Sequence, residues 1–396
     1  MAAKKWWINR NAILLSLSAF FADMGYQAIL AGFPVFLVFV LKAPAYLLGI
    51  TYAISYGGGA VFGYIGGRLG DALGKRKAAI AGNIFILLMP LTGFAASAMQ
   101  SIALFTTGWW SRNFRSPPRR AMLSDAASKG ERGRAFGMLH AFDVGGGAIA
   151  VLYLLILLHL KFGIGTIFIL TAIPIAISTL CLLPVTVGRK KAPAAPVVKG
   201  KSEIQESARA NRRTLKGVLL ATALFGFSFY SLGFPVLTIA QEAHSSPLGI
   251  LSYLIYLAVS AAAGYIIGIN ARRIGMIRGL SILGYMLAAF ASLLIGLAYA
   301  LGMGIAVSYI AVALMGVALG SIETFEPTII SFISSRREMS KKMGYLTSSR
   351  SIGLFIANAG MGILYALSPF YSYLYAFVVS LAAAVILMRM GGEFKA

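Results

Sequence analysis

Long apolar runs alternate with short polar breaks along the chain, and the length of the runs decides its class. A helix needs about 20 apolar residues to cross the hydrocarbon core of a bilayer. Runs of that length fall at roughly 12–40, 45–67, 78–98, 101–123, 134–160, 162–187, 214–240, 247–270, 277–300, 303–334, 342–367 and 369–390. Backbone polar groups in lipid must be bonded within their own segment, so each run predicts an α-helix and not an open strand. The expected fold is an all-α membrane protein with twelve transmembrane helices. The first run is longer than the ~7–15-residue apolar stretch of a cleaved signal and is read as a retained helix.

The polar breaks orient the spans. Alternate breaks carry Lys4, Lys5 and Arg10; Lys75, Arg76 and Lys77; Lys129, Arg132 and Arg134; the stretch from Arg189 to Lys216; Arg272, Arg273 and Arg278; Arg336, Arg337, Lys341 and Lys342; and Lys395. The breaks between them carry only Lys42 and Lys161. Basic residues stay on the cytoplasmic face, so both termini are expected in the cytoplasm of a cell-membrane protein with an even number of spans. The break at Gly188–Arg213 is longer, polar, basic and Pro-containing. It reads as a linker at 188–213 between a half at 1–187 and a half at 214–396. Its second part, Ser202–Arg213, is compatible with a helix on the anionic inner leaflet and equally with a disordered tether.

Composition agrees with lipid as the solvent. Of 396 residues, 59% are hydrophobic and 12% charged, against about 25% charged in soluble domains. The formal charge of +23 would suit a nucleic-acid binder. The basic residues nevertheless sit in short clusters between apolar runs, which is an orientation signal and excludes a nucleic-acid partner. Cys181 is the one cysteine, so neither an intrachain disulfide nor a thiolate metal site is expected. His140, His159 and His244 are scattered, and neither H-E-x-x-H nor a Walker loop is present. No enzyme activity, cofactor or metal is predicted.

The two halves repeat. Gly63–Lys77 aligns without gaps on Gly264–Arg278, pairing Gly63, Tyr64, Ile65, Gly67, Gly74 and Lys77 with Gly264, Tyr265, Ile266, Gly268, Gly275 and Arg278. The same offset of 201 residues puts Gly32-Phe33-Pro34-Val35 on Gly233-Phe234-Pro235-Val236. Leu48-Gly49-Ile50 meets Leu248-Gly249-Ile250 with a slip of one. Two parallel six-span halves imply a pseudo-two-fold axis along the membrane normal and a cavity between them.

The run Gly67-x-Leu69-x-Asp71-x-x-Gly74-Lys75-Arg76-Lys77, between spans two and three, resembles the signature loop of the major facilitator superfamily. Asp125 with Glu131-Arg132-Gly133-Arg134-Ala135-Phe136-Gly137 resembles that superfamily's loop after span four. Arg115-Ser-Pro-Pro-Arg-Arg and His140-Ala-Phe-Asp143 look like a poorly characterised prokaryotic subgroup akin to drug and metabolite efflux members. The resemblance covers nearly the whole chain. It implies a fold of two pseudo-symmetric six-helix bundles and a monomeric secondary transporter. It also implies a conformational gate in which Asp71 faces the end of span eleven and the basic run answers Asp125. Ala72 stands where the family usually has arginine, and Gly145-Gly146-Gly147 on span five lacks the proline of an antiporter pattern. The glycines Gly59, Gly63 and Gly67 are read as close helix packing whatever the activity.

An ionisable group at membrane depth costs at least about 2.5–3.5 kcal/mol, so each one needs a reason. Asp23, Asp143, Glu323 and Glu326 fall within spans, as do Arg112, Arg115 and Arg350. At 1.5 Å per residue Asp23 lies roughly 16 Å deep in span one, near the midplane, with Arg112 at similar depth in span four. Arg112, Arg115 and Asp143 in one half, and Glu323, Glu326 and Arg350 in the other, read as one ion-pair system per half with the signs exchanged. These systems either pin helices together or open when cargo or a proton arrives. Asp23 has no basic neighbour in sequence, and its repeat equivalent is Leu224. A carboxylate withdrawn from water suits a proton carrier, and hydrogen bonding to Tyr26 or Gln27 is the structural alternative. His140, one turn before Asp143, is either a proton relay or a headgroup contact. Trp6 and Trp7 fit an interface belt, whereas Trp109 and Trp110 are placed deep enough to line a cavity.

These readings predict transport of a small organic solute by alternating access, most simply efflux in exchange for protons, with membrane lipids as the surrounding partner. The alternative within the same fold is a proton-coupled symporter or facilitator for an anionic solute, with Arg112 or Arg350 as counter-charge. A non-transporting receptor or scaffold should carry a soluble domain, and the sequence shows none of that size.

Overall fold

The computed structural model describes residues 9–44, 46–186, 201–228 and 233–390. The expectations for Trp6, Trp7, the first part of the linker and the last six residues lie outside these.

The apolar runs form helices as their lengths require. Span one is Arg10–Val35, extended by a wider-pitch turn at Phe36–Val40. Span two is Tyr46–Leu73, and span three is Lys75–Ile86 with a tighter turn at Pro90–Phe94. Spans four and five are Ala98–Ala126 and Arg132–His159, and span six is built from Ile164–Leu170 and Ala172–Leu182. In the second half, span seven comprises Lys201–Ser228 and Gly233–Glu242, and span eight is Ser246–Ile274. Span nine runs through Met276–Gly279, Leu280–Met286 and Leu287–Leu301. Spans ten, eleven and twelve are Ile305–Ile333, Met339–Leu367 and Pro369–Met390. Among the described residues, eight spans are long and apolar enough to cross a membrane by composition alone. Spans two, four, seven and eleven carry more of the polar positions, yet their main helices run 28, 29, 28 and 29 residues. At 1.5 Å per residue that is enough for a hydrocarbon core of about 30 Å.

One helix covers Lys201–Ser228 without a break. The second part of the predicted linker is therefore the start of span seven and not a separate segment.

The packing follows the repeat. Span one packs on spans five and six as span seven packs on eleven and twelve. Span four packs on two and three as span ten packs on eight and nine. The halves meet along two equivalent seams, two against eleven and five against eight. Glycine makes these seams close. A Cβ on Gly67 would stand 2.6 Å from the Ser340 carbonyl oxygen, and one on Gly344 would stand 2.8 Å from that of Gly63. In the equivalent seam, a Cβ on Gly137 would stand 2.3 Å from the Gly264 oxygen, and one on Gly268 would stand 2.8 Å from that of Gly133. Backbones this near admit no side chain. All four contacts lie toward the end that carries the basic breaks, called here the basic end. Spans two and eight both stop there at glycines of positive φ, Gly74 at 104° and Gly275 at 79°. L-residues rarely adopt that conformation, and it turns the chain sharply into the next span.

Candidate functional site: a charged cavity between the halves

Span four builds the site. Arg112, Ser116, Arg119 and Arg120 follow one another at near-helical spacing and turn toward the other half. Pro117 and Pro118 interrupt the ladder of backbone bonds in this helix. Proline cannot donate to the carbonyl four residues back, and span two comes in over the freed Phe114 oxygen through Gly66, whose Cβ would stand 2.1 Å from it.

A cavity of about 210 Å³ lies between the halves. Asp23, Gln27, Trp109, Arg112, Arg119, Arg120, His140 and Asp143 line it from the first half, and Tyr253, Tyr256, Glu323, Arg350 and Ser351 from the second. Most of its carboxylates are held by arginine. Arg119 donates to both oxygens of Asp143, at 3.0 and 3.2 Å. Arg120 donates to Glu323 at 2.6 Å across the boundary between halves, and Arg350 pairs with both Glu323 and Glu326. Glu326 is fully buried and also accepts from Tyr285 at 2.6 Å and Thr222 at 2.9 Å.

Asp23 is different. It is buried, lines the cavity, and accepts a hydrogen bond from the Tyr26 hydroxyl. Arg112 Nε donates to the same hydroxyl at 3.3 Å, so the order is Arg112 to Tyr26 to Asp23. The Arg112 guanidinium lies 5.1 Å from the Trp109 ring centroid and 5.7 Å from that of Tyr26. Among the described residues, neither Asp23 nor Arg112 has an oppositely charged group within ion-pair distance.

Several sequence expectations fall differently in space. Arg115 is fully buried but outside the cavity, bonded to Asn83 at 2.6 Å between spans three and four. Asp143 pairs with Arg119, not with Arg112 or Arg115. Glu323 joins the halves through Arg120, so the second ion-pair system is not confined to its own half. His140 meets Ser260 of span eight at 2.8 Å, deep inside the protein and not at a headgroup. Trp109 lines the cavity, while Trp110 stacks on Phe62 and donates to the Ile54 oxygen at 3.1 Å. Gln27 lines the cavity beside Gly147. Of the three neighbouring glycines, Gly146 carries the packing, because its Cβ would stand 2.1 Å from the Phe20 oxygen of span one. Gly353, its counterpart on span eleven, packs in the same way on the Ala223 oxygen of span seven, at 2.2 Å.

Sequence reasoning missed Arg119 and Arg120. Both lie inside the run at 101–123, beside Pro117-Pro118 and close to its end, and were not counted among the charges within spans. The signal that locates them is helical spacing, since Arg119 is seven residues after Arg112 and returns to the same face.

At the basic end, Asp71 accepts backbone N–H groups of Ser340 at 3.2 Å and Lys341 at 2.8 Å. These are first-turn donors of span eleven that have no partner within their own helix, and the helix terminus favours a negative group. Lys75 reaches Asp125 at 2.7 Å, Arg76 donates to the Val185 oxygen at 3.3 Å, and Lys77 is exposed. Arg132 donates to the Ser331 oxygen of span ten, and Arg134 to the Ile269 oxygen of span eight at 3.3 Å. Each of the last two ties the halves together.

Twelve spans in two like halves, around a charged cavity closed by backbone contact at one end, define a membrane carrier. The family model of the Major Facilitator Superfamily matches residues 15–311, and the chain belongs to that superfamily. An uncharacterised MFS-type transporter of Methanocaldococcus jannaschii is 24% identical over 397 residues, spanning 96% of this chain and 95% of that protein. Two solved structures share the fold. The human organic anion transporter TETRAN superposes with a TM-score of 0.73 at 15% identity, covering 96% of this chain and 99% of its own. The proton:xylose symporter XylE, with a bromodeoxyglucose bound, superposes at 0.76 and 14% identity, covering 97% and 96%. The family is one of secondary transporters that move a solute across a membrane.

Proposed function

We propose that this protein is a proton-coupled secondary transporter of a small organic solute, with Asp23 as the group that takes up and releases the proton. One observation carries this. Asp143 and Glu323 are each held by an arginine, whereas Asp23 faces the same cavity with the Tyr26 hydroxyl as its one side-chain partner among the described residues. A buried acid without a paired cation exchanges its proton most readily when access alternates. Tyr26 links that exchange to Arg112, so the protonation of Asp23 changes what the cavity offers to cargo.

In this reading the halves proposed at 1–187 and 214–396 rock as units, joined through 188–213, whose second part belongs to the helix of span seven. The structure then represents the state shut at the basic end. Asp71, with Gly67, Gly74, Lys75, Arg76, Lys77 and Asp125 around it, forms the gate there. The protein works as a monomer in the cell membrane with both termini in the cytoplasm.

The test starts from a cargo found by ligand-dependent thermal stabilisation. Its flux is then measured in proteoliposomes with and without an imposed pH gradient. The gradient should change the flux of the native chain severalfold, and Asp23→Asn should abolish that response while net exchange of cargo persists. A response retained in Asp23→Asn removes the coupling role.

A further inference from the structure

We propose that the cargo is a small organic anion with a planar apolar body, held by Arg112 and the indole N–H of Trp109. This rests on the cavity being the transport pathway. It goes further by naming the charge and shape of what the cavity takes.

Three independent features point the same way. The first is charge. Arg112, Arg119 and Arg120 on span four and Arg350 on span eleven line the cavity with Asp23, Asp143 and Glu323, and Glu326 is bonded to Arg350 behind it, so four guanidiniums meet four carboxylates at membrane depth. The charges balance with every acid ionised, and one positive charge is in excess once Asp23 holds a proton. A buried excess charge is stabilised by a counter-ion. Arg112 is the cavity arginine with no carboxylate in ion-pair range among the described residues.

The second feature is hydrogen bonding. Leaving hydroxyls aside, the buried atoms of cavity-lining side chains without a partner among the described residues are Trp109 Nε1, Arg119 Nε and Nη1, Arg350 Nε and Gln27 Oε1. Four are donors and one is an acceptor. Trp109 and Arg119 are only 8% and 2% exposed. Buried donors without acceptors are costly, and a carboxylate or sulfonate brings acceptors only.

The third feature is the wall. The Arg112 guanidinium lies 5.1 Å from the Trp109 ring, Tyr56 meets that ring edge-on at 5.7 Å, and Tyr253, Tyr256, Leu257 and Leu354 line the same cavity. A flat body would lie there with its charge toward span four.

The direction of coupling follows. Protonation of Asp23 takes away the charge that answers Arg112 through Tyr26. An anion restores the balance, so anion and proton occupy the cavity together and cross in the same direction, one with one. This favours symport over the exchange suggested by the resemblance to efflux members.

Binding is the decisive readout, because small aromatic acids also cross bilayers unaided. The purified full chain is titrated calorimetrically with benzoate, benzamide and benzamidine, which share one shape and differ in charge. Benzoate should bind at least tenfold more tightly than benzamide, and benzamidine most weakly. Arg112→Gln should weaken benzoate at least tenfold, about 1.4 kcal/mol, and leave benzamide unchanged. Arg112→Lys should recover part of the loss. Equal or tighter binding of benzamide or benzamidine, no binding of any probe, or indifference to Arg112→Gln would each overturn the anion site. The comparison of probes on the native chain does not depend on how a variant folds. Titration in buffers of different ionisation enthalpy separates the two readings. Benzoate bound through Arg112 with no proton uptake would refute the role of Asp23 and leave the anion site standing. Loss of the preference for benzoate would refute the site whatever Asp23 does.

Discussion

At the scale of single residues, the buried charges are not interchangeable, and their partners rank them. Arg350 is the cation that answers Glu326, which has no solvent exposure. Removing one partner of a buried pair leaves an uncompensated charge and costs about 3–5 kcal/mol. Arg120 answers Glu323, which Arg350 also holds. Losing it should cost only a charge-assisted hydrogen bond, about 1.5–3 kcal/mol. Thermal melts of the purified protein should therefore place Arg350→Gln well below Arg120→Gln. The reverse order would mean that the bridge between halves, and not the pairing of Glu326, stabilises the centre. The acids at positions 23, 143, 323 and 326 stood out from sequence because charge is rare at membrane depth. Their pairing did not, because a helix offers several faces and only packing selects one. Asp143 meets Arg119 because span five presents it to that turn of span four.

At the scale of helices, the glycines of the seams set how near the halves come. Gly137 has no room for a methyl group against the Gly264 carbonyl. Gly137→Ala should push spans five and eight apart at the basic end without disturbing either helix, since alanine favours helix. The cavity then becomes reachable from that end. In a Cys181→Ser background, Ser351→Cys lines the cavity and reports the change. Its labelling by an impermeant maleimide from the basic side should rise severalfold when Gly137→Ala is added. Unchanged labelling would show that the seam tolerates the methyl group while shut. Span lengths were legible in the sequence because lipid imposes them. The start of span seven at Lys201 was not, because a polar, basic stretch is equally compatible with a surface helix and a tether, and neither reading joins it to the apolar run that follows.

At the scale of the whole molecule, alternating access requires both seams to part together at the basic end while the other end closes. A Cβ on Gly63 would stand 3.4 Å from that of Thr347, close to the separation of about 3.5–4.5 Å found in disulfides. Gly63→Cys with Thr347→Cys, again without Cys181, should cross-link on oxidation and fix spans two and eleven together. Transport should fall at least tenfold and return with reductant, while each single variant stays active. Transport that continued through the cross-linked protein would mean this seam never parts, and rocking of the halves would have to be abandoned.

The sequence by itself determined the number of spans, their helical nature, the division into two like halves and the family, because run length, basic asymmetry and internal repetition are properties of the chain alone. It also marked Asp71, through the family resemblance, and the glycines at 59, 63 and 67, because a missing side chain is visible without coordinates. Only the tertiary structure decided which arginine holds which acid. It alone showed that Arg120 and Glu323 join the halves, that Arg115 lies outside the cavity, and that Arg112 and Asp23 face it bridged by one tyrosine. The physical reason is distance: these partners stand up to 203 residues apart in the chain and within hydrogen-bond reach in space. Helix packing, which no local pattern encodes, brings them together.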